Sequence, residues 1–197
     1  FLQRHPSLVA AVAADDATGA GARILAAVAD EHPMLALRVA YRREILGVAA
    51  RDLSGEASLE TTMAELTELA DAALQACYEL AVRDAGEDAS LVDLAVIAMG
   101  KCGAKELNYI SDVDVVFIAE PRTSQTPTEV AMKAGQRIAS RLMQIANAAT
   151  PEGSIWEVDA ALRPEGKAGV LVRTVDSYVA YYRKWAKSWE FQALLKA

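Results

Sequence analysis

Cysteine and histidine are scarce, with two of each among 197 residues. Cys77 and Cys102 have no metal-type spacing and no partners for a disulfide framework. That excludes a zinc module or a disulfide-stapled fold, and it suits a reducing cytosol, so a cytoplasmic location is expected. Basic charge is also in short supply. Twenty Lys and Arg stand against 27 Asp and Glu, a net charge of −7. This argues against a generic nucleic-acid binder, whose phosphate contacts need a basic surface. No apolar run approaches the ~18 residues that would span a bilayer, and no signal peptide is visible, so no membrane partner is expected. The Walker A pattern is missing too. The chain begins at Phe1 rather than Met, which suggests a piece of a longer protein.

What is present is ordinary for a globular protein: 53% hydrophobic and 24% charged residues. Residues 1–30 are rich in Ala, Gly and Asp with weak periodicity, and short helices or loops are expected there. Pro33 suits a first helical position, and Leu37, Tyr41, Ile45 and Val48 recur at helical spacing, predicting a helix over 33–53 ended by Ser54-Gly55. A second helix is expected over 59–84, with Met63, Leu66, Ala70, Ala73, Cys77 and Leu80 as its buried stripe and Gly86 as its stop. The period then changes. "LVDLAVIAM" (91–99) and "VDVVFIA" (113–119) are short, nearly continuous apolar runs, as in strands covered on both faces. Thr126, Pro127 and Glu129 predict a capping box for a helix whose buried side is Ala131, Ala134, Ile138, Leu142, Ile145 and Ala149. "IWEVDAAL" (155–162) reads as a strand, and "RPEGKAGVLV" (163–172) as a loop closing into another. The tail from Thr174 reads as helical, with Tyr178, Tyr181, Trp185 and Trp189 along one side. Helices followed by a strand-rich unit make an α+β pattern.

Between the first two strands lies "MGKCGAKELNYISD", residues 99–112. Strand geometry puts Asp112 and Asp114 on one side, ~6.6 Å apart, with Val113 turned to the core. Two bare carboxylates at that distance repel by ~2.5 kcal/mol at an effective dielectric near 20. Both could end in solvent at a strand edge. Otherwise the crowding calls for a raised pKa or a hard, oxygen-ligated cation such as Mg²⁺. Three neighbours favour chemistry. Gly100-Lys101-Cys102-Gly103 is a turn whose backbone and lysine suit an anion. Ser111 adds a hydroxyl beside the acids. Asp159 lies in mid-strand, opposite the apolar face of Trp156, Val158 and Ala160, where an unpartnered acid is costly.

Gly100, Ser111-Asp112-Val113-Asp114 and Asp159 in this order resemble the nucleotidyltransferase superfamily of the DNA polymerase β type. Gly-Lys replaces that superfamily's frequent Gly-Ser, which leaves open how phosphates are gripped. Over roughly 35–197, "GKCGAKELNYISDVDVVF", "EVDAALRPEGKAGVLV" and "WEFQALLKA" resemble the bifunctional glutamine synthetase adenylyltransferase/adenylyl-removing family. "YRREILGVAARDL" (41–53) fits the helical lead-in of that family. The resemblance implies a polymerase β-like fold, a small mixed sheet with flanking helices, over residues 89–197, behind a helical lead-in over 1–88. It also implies that Asp112, Asp114 and Asp159 are catalytic and bind Mg²⁺ or Mn²⁺, and that Gly100, Lys101, Ser111 and Arg163 line nucleotide phosphates.

That family carries two such units. One removes AMP from a glutamine synthetase tyrosine with phosphate, releasing ADP; the other attaches AMP from ATP. "ELNYISDVDVVF" and "RPEGKAGVLV" look like the removing unit, since the other more often reads Gly-Tyr-Gly-Ser-Asp at the matching place. The adenylylating unit is the near alternative, and an inactive regulatory or docking module the distant one. The implied partners are adenylylated glutamine synthetase, ADP, ATP and phosphate, with a PII signal protein contacting other parts of a longer protein.

The remaining features read as structural. Cys77 belongs to the core stripe. Cys102 could be exposed in its turn, but nothing nearby argues for nucleophilic work. Arg38, Arg42 and Arg43 read as a solvated face or internal ion pairs, and the aromatic tail with Arg183, Lys184 and Lys187 as a face packed on the sheet. His5 and His32 receive no role.

Overall fold

The computed structural model describes residues 1–13 and 19–197; part of the loosely predicted 1–30 stretch, residues 14–18, lies outside the described residues. Helices α1 (Leu8–Ala13) and α2 (Ala20–Ala26) lead into two long ones, α3 (Pro33–Ser54) and α4 (Leu59–Ala85). Pro33 opens α3, and Gly55, in the left-handed region, returns its N–H to Arg51 and Asp52. Ser58 caps α4 by accepting from the Thr61 N–H at 3.2 Å. Leu66, Ala70, Ala73, Cys77 and Leu80 are buried as expected.

Strands β1 (Val92–Ala98) and β2 (Val113–Pro121) pair antiparallel from Val92↔Pro121 to Ala98↔Val115. The turn joining them is a loop apart from one helical turn, α5 (Gly100–Gly103). Along its other edge β2 pairs parallel first with β3 (Val158–Asp159) and then with β4 (Val172–Arg173). The strands expected from "IWEVDAAL" and "GVLV" therefore shrink to two residues each. On the side of β3 away from β2, the Asn147 amide takes both Val158 backbone groups, its Oδ1 accepting at 2.8 Å and its Nδ2 donating at 3.2 Å, so a helix end stands where a further strand would pair.

Helix α6 (Thr128–Asn147) buries Ala131, Ala134, Ile138, Leu142 and Ile145. Its expected capping box does not form. Thr126 bonds Thr123 instead, and Glu129 turns along the helix to Lys133 at 2.8 Å. Ala149 falls beyond the helix end and is exposed. The tail is two helices, α7 (Val175–Lys184) and α8 (Ser188–Ala193), rather than one. The buried Glu190 causes the break: its carboxylate accepts from the Lys187 N–H at 2.7 Å and the Tyr181 hydroxyl at 2.9 Å. Tyr178 reaches the Phe117 carbonyl on the sheet, whereas Trp185 and Trp189 are 66% and 46% exposed, so the aromatic stripe does not pack as one face.

One hydrophobic core runs from Ile24 on α2 through α3, α4, β2 and α6 to Val172 on β4, so it crosses residue 88 without interruption. Arg38 is fully buried inside it, contrary to the expected solvated face. Its guanidinium donates to the carbonyls of Ile145 and Ala148 at 2.6 and 2.7 Å and of Met34 at 2.8 Å. It thereby ends α6 with a cation where the helix dipole is negative. Arg42 donates to the Ser154 carbonyl, and Arg43 pairs with the buried Glu44, which also accepts two bonds from Arg23 at 2.8 and 2.7 Å.

Candidate active site

Two of the acids flank Val113, where β2 begins. Val113, Val115, Phe117 and Ala119 face the core, which leaves Asp112 and Asp114 on the opposite side. Asp112 lies just before the strand and is exposed; Asp114 is half-buried. The parallel pairing then does what the sequence pattern could only suggest: Asp114 stands in register with Asp159, and the Val113 N–H donates to the Glu157 carbonyl at 2.8 Å.

The glycine turn closes on the same place. The Met99 N–H donates to the Asp114 carbonyl at 2.8 Å, extending the β1–β2 ladder into the turn. Gly100 has φ +56°, and a Cβ there would lie 2.6 Å from Asp114 Oδ2. Only glycine provides both that backbone angle and that room. At the other end of the turn, a Cβ on Gly103 would meet the Lys196 carbonyl at 2.1 Å, so the C-terminal turn rests on it. Lys101 donates to Ser111 Oγ at 3.0 Å, and Ser111 donates to Asn108 Oδ1 at 2.9 Å. The Tyr109 hydroxyl ties this loop to Asp52 at 2.9 Å. Cys102 is buried rather than exposed, and burial pushes its thiol up to about 12, helped by the charges of Asp71 and Asp114.

Electrostatics single out Asp114. Its pKa is raised, first by desolvation and then by the charges of Asp112 and Asp159, with Lys101 opposing. Asp159 is held differently: Oδ1 accepts from the Ala161 N–H at 2.8 Å, and Oδ2 faces Lys167 Nζ at 3.5 Å. The donor set is all carboxylate oxygen, which fits a hard divalent cation such as Mg²⁺ or Mn²⁺. Among the described residues no three such side chains are already gathered closely enough to hold a metal.

Of the residues singled out in the sequence, Gly100, Lys101, Ser111, Asp112, Asp114 and Asp159 occupy one neighbourhood. Arg163 has another occupation, since all its nitrogens donate to carbonyls of its own loop: Ala160 at 2.7 Å, Gly169 at 3.1 Å and Lys167 at 3.1 Å. Two contributors escaped notice. Asn147 anchors β3 beside Asp159, and as the last residue of a helix it carries no local signal of that task. Lys167 sat in plain view within "RPEGKAG", but only the folded loop shows which way it reaches.

The glutamate-ammonia ligase adenylyltransferase family matches residues 4–197. The chain is 55% identical over 163 residues to the bifunctional glutamine synthetase adenylyltransferase/adenylyl-removing enzyme of Streptomyces avermitilis, an alignment spanning 83% of this chain and 16% of that protein. The enzyme of the same name from Streptomyces coelicolor is 56% identical over 82% of this chain and 16% of the relative, and that of Cutibacterium acnes 51% identical over 82% and 17%. The chain thus spans about a sixth of the length of the curated relatives it matches.

Proposed function

The chain belongs to the glutamate-ammonia ligase adenylyltransferase family, and from that premise we propose that it is the adenylyl-removing nucleotidyltransferase unit of a bifunctional regulator of glutamine synthetase, with a polymerase β-type fold. The observation that carries this reading is Asp114 in register with Asp159, with its carboxylate lodged against Gly100. Acids from two strands then face a glycine turn suited to phosphate. Identity above 50% to the Streptomyces enzymes supports the substrate class.

The reaction follows from charge. An oxygen of inorganic phosphate attacks the phosphorus of the AMP group, and the bond from that phosphorus to the tyrosine oxygen breaks. The proton of the attacking phosphate passes to the tyrosine oxygen, giving ADP and free tyrosine. Mg²⁺ or Mn²⁺ held by Asp112, Asp114 and Asp159 would neutralise charge on the phosphoryl oxygens. The chain's own part is positional. The β2–β3 register fixes two of the acids, Gly100 leaves room beside Asp114, and Lys101, resting on Ser111 Oγ, offers a donor at the lip.

The test is direct. With adenylylated glutamine synthetase, phosphate and Mg²⁺, the chain should release ADP. AMP transfer from ATP to unmodified glutamine synthetase would assign the adenylylating role instead, and nucleotide binding without turnover would leave a docking module.

A further inference from the structure

The loop over 160–169 is more tightly specified than its length requires. Arg163 lies across it and donates to the carbonyls of Ala160, Lys167 and Gly169, while the Gly166 N–H donates back to the Arg163 carbonyl at 2.8 Å. Glu165 and Gly166 both take the left-handed region, at φ +65° and +59°, which turns the chain sharply before the short helical turn Gly166–Ala168. Glu165 sends its carboxylate outward to Arg173. What remains directed at the acids is Lys167, whose backbone carbonyl is pinned by Arg163 and whose Nζ lies 3.5 Å from Asp159 Oδ2.

That pairing does little for stability. The Lys167 side chain is 78% exposed, and an exposed pair at this separation contributes almost nothing to folding. A fixed backbone carrying a loosely held ammonium is an arrangement for meeting an anion. The carboxylates have two such cations, Lys101 on the turn side and Lys167 on the β3 side.

We propose that Lys167 is the loop's phosphate-gripping residue, resting on Asp159 when no anion is bound and moving to phosphoryl oxygens when one arrives, while Arg163 is the brace that presents it. The inference rests on reading the site as a phosphoryl-transfer centre. It reverses the roles expected from the sequence, in which Arg163 met the phosphate.

The experiment measures binding, not turnover. Mn²⁺ alone is titrated into the chain by electron paramagnetic resonance, and phosphate, AMP and ADP are each titrated calorimetrically in the presence of Mn²⁺. Lys167→Met should bind Mn²⁺ alone at least as well as the wild type, because a competitor for Asp159 has gone. It should lose about tenfold in affinity for phosphoryl ligands while Lys167→Arg keeps most of it. Loss for phosphate and ADP with AMP unchanged places the ammonium on the attacking phosphate; loss for AMP as well places it on the AMP phosphate. An unchanged anion affinity in Lys167→Met, an equal weakening of Mn²⁺ and anions, or failure of Lys167→Arg to recover binding overturns the inference alone. A wild-type chain that binds neither Mn²⁺ nor phosphate removes the site reading together with the inference.

Discussion

Two groups of charged side chains among the described residues are treated in opposite ways. In the helical half, Arg38 is fully buried and its donors meet the carbonyls that end α6, while Glu44, 1% exposed, is gripped by Arg23 and Arg43. Opposite charges and dipoles meet there: Arg38 joins α3 to α6, and Glu44 joins α3 to α2. At the start of β2 Asp114 is held half-buried, with the like charges of Asp112 and Asp159 acting on it. One arrangement serves folding. The other works against it, and its persistence calls for a reason outside stability.

The comparison can be broken most forcefully at the acids. Asp112→Asn should cut ADP release by about a thousandfold, roughly 4 kcal/mol of transition-state stabilisation, while far-UV circular dichroism stays unchanged. An active variant would reduce the acids to surface decoration.

Arg38→Met should show the converse, a loss of roughly 2–5 kcal/mol in urea unfolding, because the carbonyls of Ile145 and Ala148 are left without their donor. Near-normal stability would mean that α6 ends well without help.

Gly100→Ala joins the two regimes. Its φ of +56° and the 2.6 Å approach to Asp114 predict about 1–2 kcal/mol of destabilisation. Activity should fall further than stability, because the carboxylate itself is displaced; kcat measured beside the thermal midpoint separates the two.

The smallest effect concerns the thiols. Burial pushes both Cys77 and Cys102 up to about 12. Iodoacetamide should leave the folded chain unmodified at pH 8 and label both residues once it unfolds, as mass spectrometry would show.

What could be read beforehand follows the same division. The long helices, their stripes and the two main strands were legible, because a period repeated over many residues outweighs local accidents. Asp112, Asp114 and Asp159 could be singled out as candidates, since an acid flanked by strand-forming residues conflicts with its surroundings, and the structure puts Asp114 in register with Asp159 and against Gly100. Interactions decided by a distant partner were not legible. Nothing near Arg38 signals the end of α6 more than a hundred residues away, and nothing near Asn147 announces that it stands in for a strand. Glu190 likewise splits the tail through a hydroxyl nine residues back. The capping box at Thr126 failed for a local reason, because the helix takes Pro127 as its N-cap and the Thr126 hydroxyl meets that of Thr123.

Thermal melts of the wild type and Asp114→Asn, each with and without Mn²⁺, test the central claim most directly. The raised pKa means that the folded chain holds the Asp114 proton more tightly than the unfolded chain does. The ionised carboxylate therefore opposes folding at pH 7.5, and that penalty fades as pH falls through the folded pKa towards the ordinary aspartate value. Without metal, Asp114→Asn should melt at or above the wild-type temperature at pH 7.5, with the difference closing in acid; with Mn²⁺, only the wild type should rise. A variant that melts lower without metal, or that rises with Mn²⁺ as the wild type does, would contradict the claim that these carboxylates are kept for a cation at the expense of the fold.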